Sequence, residues 1–375
     1  MNLGARMFGV SLYVLVLAFF CIIVGKISNK KLKTVLMVYA IILSIMGFFF
    51  VPSMDNDLYR TFEIMEYYSN MPFETIIRDY VSMSNAPFAL FYYWIIGQFG
   101  VNSLLPFITA LIFYINIFYI FSDYANKQNI SGRALSLGLL IIMCNSSFIE
   151  VISGIRTMLS FSIVLRCIYN EVYNNKFIIR DVFWYVIASL IHPASLVLVI
   201  FRLIFTFFQR SKSKNRKWVL VVLSIALFTL LINYGGRFIE AMADKANVYI
   251  YGDMYSYIWG FIITFLILVA LVIIQNKSAS FNNANDEERI SLKNNRTFSR
   301  IIEATMIAFI FEYSIFSRYG NFNLLLNIPI ILYYSDLLFK KGDRGHKVVY
   351  LYFLGVLFLT CVRGDLSALK FWGGL

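Results

Sequence analysis

The chain alternates between apolar runs of bilayer length and short polar connections, with little else. Met7–Val24, Thr34–Val51, Leu104–Ser122, Ala134–Ile152, Gly154–Tyr173, Trp218–Tyr234, Trp259–Gln275, Ile301–Phe316, Asn321–Phe339 and Val348–Val362 are such runs. Each offers about 15–20 residues, close to the roughly 20 that a helix needs to cross about 30 Å of hydrocarbon. Backbone groups in hydrocarbon must satisfy one another, so runs of this length are helices. The expected fold is an all-α, polytopic transmembrane bundle of about 10–12 spans. No connection exceeds about 35 residues, below the roughly 40 at which an isolated domain folds unaided. Residues 1–375 therefore read as a single integral membrane domain. Met7–Val24 is too long for a signal h-region and lacks a small-residue cleavage site, so it reads as a first span.

Charge organises the connections. Only 14% of residues are charged and 59% are hydrophobic, against about 25% charged in soluble proteins. The net charge of +12 sits largely in short loops, where it orients a membrane protein and meets anionic lipid. It is no signal for nucleic acid. Lys26, Lys30, Lys31 and Lys33 follow the first run; Arg210, Lys212, Lys214, Arg216 and Lys217 precede Trp218; Lys340, Lys341, Arg344 and Lys347 precede the last run. All three clusters are expected in the cytoplasm of a protein of the cell membrane. Pro52–Asn85, which carries Asp55, Asp57, Glu63, Glu66, Glu74 and Asp79 against Arg60 and Arg78, is expected outside, as is Gly235–Tyr255. Asn276–Ser299 reads as a polar, mobile cytoplasmic loop. Cys21, Cys144, Cys167 and Cys361 lie in apolar runs without metal-ligand spacing and read as small core residues.

Two segments break the counting. Ala86–Phe99 is short for a span, and Val182–Phe208 is long and interrupted by His192-Pro193, where proline removes a helical hydrogen bond. If both cross, Arg156 falls near the cytoplasm. If both are re-entrant or half-helical, Arg156 and His192 move toward the outer side, and this second topology is the working expectation. Broken helices at membrane depth belong where protein or a watery cavity surrounds them.

Ionisable side chains in such runs are expensive and mark candidate sites. Arg156 opens a span after Gly154; it is either a snorkelling arginine or an anion-binding guanidinium, whose planar fork matches phosphate oxygens. Arg166 lies ten residues on, about 15 Å along a helix, and serves the other face. His192, one of 2 histidines, is either a satisfied core residue or a base or hydrogen-bond donor lining a cavity. Arg318-Tyr319-Gly320-Asn321 is either a turn between spans or a further cationic site, with Glu312 as a partner for Arg318. Asp55-Asn56-Asp57-Leu58-Tyr59-Arg60 is either a solvated acidic loop or a cluster that binds sugar hydroxyls or supplies a base. No Walker loop, zinc spacing, nucleophile elbow or dinucleotide fingerprint appears, and nothing calls for a cofactor or metal.

Taken together these residues resemble the EpsG family of Wzy-like membrane proteins. The likeness is carried by Asp55, Asp57, Tyr59 and Arg60, by Gly154 and Arg156, by His192, Ala194 and Ser195, and by Arg318 and Tyr319. It spans nearly the whole chain. One departure is Thr157, where many relatives carry Gln. The resemblance implies a polymerase that joins undecaprenyl-pyrophosphate-linked oligosaccharide repeat units into capsule, exopolysaccharide or O-antigen at the outer membrane face, with a chain-length regulator as a partner. Arg156, Arg318 and Tyr319, with Arg60, then bind pyrophosphate and sugar, and Asp55, Asp57 or His192 is the base. A flippase or transporter of the same lipid-linked substrate, and a membrane O-acyltransferase using His192, are the alternatives.

Overall fold

A computed structural model describes residues 3–54, 56–81, 84, 86–174, 179–210, 254–278, 281, 284–308, 313–340, 345–362, 366 and 369–371. In chain order its helices are α1 Leu3–Lys26, α2 Asn29–Phe48, α3 Asp57–Ser69, α4 Pro87–Gly97, α5 Leu104–Gln128, α6 Gly132–Asn145, α7 Phe148–Ser153, α8 Ile155–Ile168, α9 Ile179–Ile191, α10 Pro193–Arg210, α11 Met254–Lys277, α12 Asp286–Ala308, α13 Tyr313–Leu326, α14 Ile328–Lys340 and α15 Gly345–Val362. A turn at Phe73–Thr75 runs into a π-helical stretch, Ile76–Val81, and a second π-helical stretch, Tyr169–Tyr173, continues α8. Among the described residues there is no sheet, only one antiparallel bridge between Phe50 and Phe371. The fold is an all-α polytopic bundle.

Within α1, α2, α5, α11 and α15 lie 5 stretches long and apolar enough to cross a membrane, and α13 and α14 reach that length and hydropathy only together, as a pair bent by 57°. The expected span Trp218–Tyr234 and residues 235–253 of the expected loop Gly235–Tyr255 lie outside the described residues, and Met254 and Tyr255 begin α11. Other expected spans are interrupted. Ala134–Ile152 is divided between α6 and α7 at Ser146-Ser147, and Gly154–Tyr173 is α8 with its π-helical end.

Hydrogen bonds fix which ends lie together. Asn29 at the start of α2 donates to Asn129 Oδ1 (3.2 Å) just beyond α5, while Gly47 near the end of α2 approaches Pro106 at the start of α5. The two helices are antiparallel, so the 49–103 segment leaves and returns at one end, and α4 does not cross. The loop with Lys26, Lys30, Lys31 and Lys33 marks the basic end of the bundle; α3 and α4 lie at the far end. Asn116 Nδ2 to Ser162 Oγ (3.2 Å) and Lys127 Nζ to Asn174 Oδ1 (2.5 Å) set α8 parallel to α5. Arg156 is therefore at the far end. Arg166, donating to Asn116 Oδ1 at 3.0 Å and lying over the Tyr119 ring, serves the other half.

The His192-Pro193 interruption divides α9 from α10, and the two arms double back. Glu171 receives Tyr185 Oη from α9 at 3.1 Å and Arg202 Nε from α10 at 2.9 Å, so both arms stand at the same depth. Val182–Phe208 is a re-entrant hairpin entered from the basic end, with its tip at His192. The α9 arm packs against α8 and α4.

Close packing requires a small residue where α1 and α6 meet. A Cβ added at Gly132 would lie 2.5 Å from the Gly25 carbonyl oxygen, and small residues permit such backbone approach in membranes. Gly132→Val is expected to lower the monodisperse, detergent-extracted protein several-fold, because forcing methyl groups into a packed contact costs about 1–3 kcal/mol. Wild-type yield and melting behaviour would contradict this crossing.

One expectation is corrected. Asn276–Ser299 is not a polar loop throughout, because α12 begins at Asp286. Asn285 Oδ1 accepts the Glu288 amide at 2.8 Å, and Asp286, Glu287 and Glu288 occupy the first turn, where acids complement the helix dipole. Tyr124 Oη donates to Glu288 Oε1 at 2.8 Å. Further along, Gln275 Nε2 reaches Ser299 Oγ (2.7 Å) and Glu303 Oε1 (2.9 Å), and Asn327 Nδ2 reaches Ser299 Oγ (2.8 Å). These polar side chains are buried because they pair with one another. The expected span Ile301–Phe316 likewise resolves into the end of α12 and the start of α13.

Candidate active site at the far end

The acidic motif after Pro52 divides into a capping part and an exposed part. Asn56 Oδ1 accepts the Leu58 amide at 2.8 Å and so starts α3. Leu58 is buried. Asp57 and Arg60 share the outer side of the helix one turn apart, 3.9 Å from each other. Asp55 lies outside the described residues. Across the bundle, Arg318 Nη2 of α13 comes within 4.0 Å of Asp57 Oδ2. Glu312, read as its partner, lies outside the described residues.

Arg156 reaches the same region from α8, where it is exposed. Tyr93 of α4, which packs against α3, is buried with the charges of Arg156 and Asp57 nearby. Three helices distant in sequence, α3, α8 and α13, thus bring Asp57, Arg60, Arg156 and Arg318 to one end of the molecule. Arginine pairs well with phosphate oxygens and stays charged in partly dry surroundings.

Beneath this group stands the hairpin tip. His192 Nδ1 accepts the Ala194 amide at 3.2 Å, capping α10 as a shorter polar side chain would. Ser195 Oγ donates within 2.7 Å of both the Ala188 and His192 carbonyl oxygens, which also accept the His192 and Ser195 amides, and so ties the start of α10 to the end of α9. A histidine whose Nδ1 accepts carries its proton on Nε2 when neutral. Tyr319 Oη donates to the Ala194 carbonyl at 3.1 Å, and its ring lies 5.9 Å from that of Phe161. Tyr319 therefore ties α13 to the tip. Phe161 is about 7.5 Å along α8 from Arg156, which sets the tip well below the far surface.

The sequence reading missed Glu150. It sits on α7 with its amide donating to Ser147 Oγ at 3.2 Å, and its carboxylate receives Ser317 Oγ at 3.1 Å and Asn321 Nδ2. The motif Ser147-Phe148-Ile149-Glu150 has the spacing of a capping box; that signal was hidden inside an apolar run read as one span. Among the described residues, no three of His, Cys, Asp and Glu gather closely enough to hold a metal ion.

Fold and site together define a multi-pass helical membrane protein with Arg60, Arg156 and Arg318 at one end of its bundle. The chain belongs to the EpsG family, whose model matches residues 59–370. That match includes Arg60, Arg156, His192, Arg318 and Tyr319 and begins just after Asp57. No curated protein and no solved structure matches the chain.

Proposed function

We propose that this protein is a polysaccharide polymerase that joins undecaprenyl-pyrophosphate-linked oligosaccharide repeat units at the outer face of the cell membrane. One observation carries the reading. Arg156 and Arg318, with Arg60 beside them, gather at the end of the bundle opposite Lys26, Lys30, Lys31 and Lys33. The positive-inside rule puts the lysines in the cytoplasm and the arginines outside.

In this reaction a hydroxyl of one lipid-linked unit attacks the anomeric carbon of the growing chain. A new glycosidic C–O bond forms as the bond from the anomeric carbon to the pyrophosphate oxygen breaks, and undecaprenyl pyrophosphate leaves with the electron pair. Fixed guanidinium groups stabilise that charge as it develops, a role the proposal gives to Arg156 and Arg318 and not to a metal. Arg60 assists at the surface and Tyr319 shapes the sugar side. His192 offers its Nε2 proton to a phosphate or sugar oxygen, while Asp55 and Asp57 are the carboxylates the motif supplies for the hydroxyl proton. Products of this kind are capsule, exopolysaccharide or O-antigen, with a chain-length regulator as partner.

The test uses the purified full chain in liposomes with undecaprenyl-pyrophosphate-linked repeat units, products being separated by size. Polymer accompanied by free undecaprenyl pyrophosphate supports the reading. Transbilayer movement of intact single units without polymer would replace it with a flippase, and transfer of acyl groups to preformed glycan with an acyltransferase.

A further inference from the structure

Where α11 ends against the middle of α12, cations converge on a neutral atom. Arg296 Nη2 and Arg300 Nη2 both donate to Asn276 Oδ1, at 3.0 and 2.8 Å. Lys277 follows Asn276 and closes α11. Arg300 also donates to Glu303 Oε2 at 2.9 Å, whereas Arg296 has no carboxylate partner among the described residues. Burial, and then the charge of Arg300, lowers the Arg296 pKa from its ordinary value. Arginine nevertheless stays protonated, so an anion, not loss of a proton, relieves the repulsion. Each guanidinium carries five N–H donors, and most of these remain for a phosphate, whose oxygens match the planar fork.

The cluster lies toward the basic end of the bundle. Glu288 of α12 meets Tyr124 close to the end of α5, and Gln275 of α11 meets Ser299 of α12. From there both helices run toward the far end, since Thr264 of α11 and Met306 of α12 both pack at Gly320 of α13. By the positive-inside rule this is the cytoplasmic side.

The surroundings select among anions. Asn276, Lys277 and Lys293 are exposed, so the cluster is open to a visitor. Ile273, one turn before Asn276, and Ile301, next to Arg300, are exposed too, and both lie on the membrane side of the charges. A snorkelling cation spreads away from its neighbours into water; these two guanidinium groups turn to a shared point instead. A soluble phosphate would use the arginines and leave the isoleucines bare. A molecule with phosphate at one end and hydrocarbon at the other covers both.

We infer that Arg296, Arg300 and Lys277 hold the phosphate of an anionic phospholipid of the cytoplasmic leaflet, with its acyl chains against Ile273 and Ile301. The site is separate from the arginines at the far end and from the reaction proposed for them. It also borders a helix junction: Glu303 Oε1 accepts Gln275 Nε2 of α11 at 2.9 Å and Asn323 Nδ2 of α13 at 3.2 Å. A lipid held on Arg300 therefore steadies α11, α12 and α13 together.

The experiment titrates the full-length protein, purified in neutral detergent and stripped of lipid, with phosphatidylglycerol or phosphatidylcholine. Bound lipids are counted by native mass spectrometry. Phosphatidylglycerol is expected to bind at least about tenfold more tightly, given about a fivefold gain per cation at an anionic surface, and to raise the midpoint of heat unfolding. Arg296→Gln leaves the Arg300–Glu303 pair in place and should weaken phosphatidylglycerol about fivefold, as should Lys277→Gln. Lys30→Gln makes the same charge change at an exposed position of α2 and should keep wild-type affinity. Equal affinity for the two lipids overturns the inference, as does binding by Arg296→Gln and Lys277→Gln that matches Lys30→Gln. Displacement of phosphatidylglycerol by millimolar inorganic phosphate, with the same heat protection, assigns the cluster to a soluble anion and also overturns it. If Arg296→Gln does not fold, Lys277→Gln against Lys30→Gln decides.

Discussion

Arg156→Ala is expected to collapse the product from long glycan to single repeat units, with the rate of polymerisation down by about 10²–10³-fold, the effect of removing one donor to developing charge. Protein abundance should stay at the wild-type level. The side chain is exposed on the first turn of α8, and surface substitutions away from special features usually lie within about 0.5 kcal/mol. Arg156→Lys keeps the charge but loses the planar fork, so it should recover only part of the rate. Arg166→Ala, on the same helix but in the other half of the bundle, is the control, with unchanged donor affinity. The measurement is surface glycan separated by size alongside immunodetection of the protein. A wild-type ladder from Arg156→Ala at normal abundance would remove the phosphate role from this residue.

Arg202→Ala is expected to destabilise the protein by about 3–5 kcal/mol, the penalty for stranding one member of a buried ion pair. The Arg202 and Glu171 side chains are 5% and 6% exposed and 2.9 Å apart. Arg202 also lies over the Phe205 ring, and Tyr185 shares the carboxylate. The pair holds both arms of the α9–α10 hairpin to the end of α8, so its loss should free the tip that carries His192. Thermal unfolding in detergent reads the effect. The double replacement Glu171→Gln with Arg202→Met should recover a substantial part of the lost stability, since no uncompensated charge remains buried. A melting point for Arg202→Ala equal to wild type would show that the pair holds nothing.

Much of this architecture is legible in the residues because the bilayer leaves few choices. Long apolar runs give α1, α2, α5, α11 and α15, and His192-Pro193 falls where α9 gives way to α10. The shortness of Ala86–Phe99 is that of α4, which stays at one end. What hydropathy cannot carry is pairing across the chain. Glu150 is stabilised by Asn321, 171 residues away, and Tyr124 by Glu288, 164 residues away. An averaged window sees only a polar residue and assigns a loop, as it does over α12. The break at Ser146-Ser147 and the bend at Asn327 are silent for the same reason, since their freed groups are met by distant partners. The residues singled out from the sequence were Asp55, Asp57, Arg60, Arg156, His192, Arg318 and Tyr319. Their grouping at one end depends on the direction of α5 and α8, which a single sequence does not encode locally. Glu150 was lost because its span was counted as continuous.

The hairpin that turns at His192 has a mechanical consequence. Both arms meet one carboxylate toward their open end, Tyr185 and Arg202 on Glu171, while the turn itself is held to α13 by the bond from Tyr319 to the Ala194 carbonyl. A shift of α13 is thereby passed to the turn, with the arms pinned at Glu171.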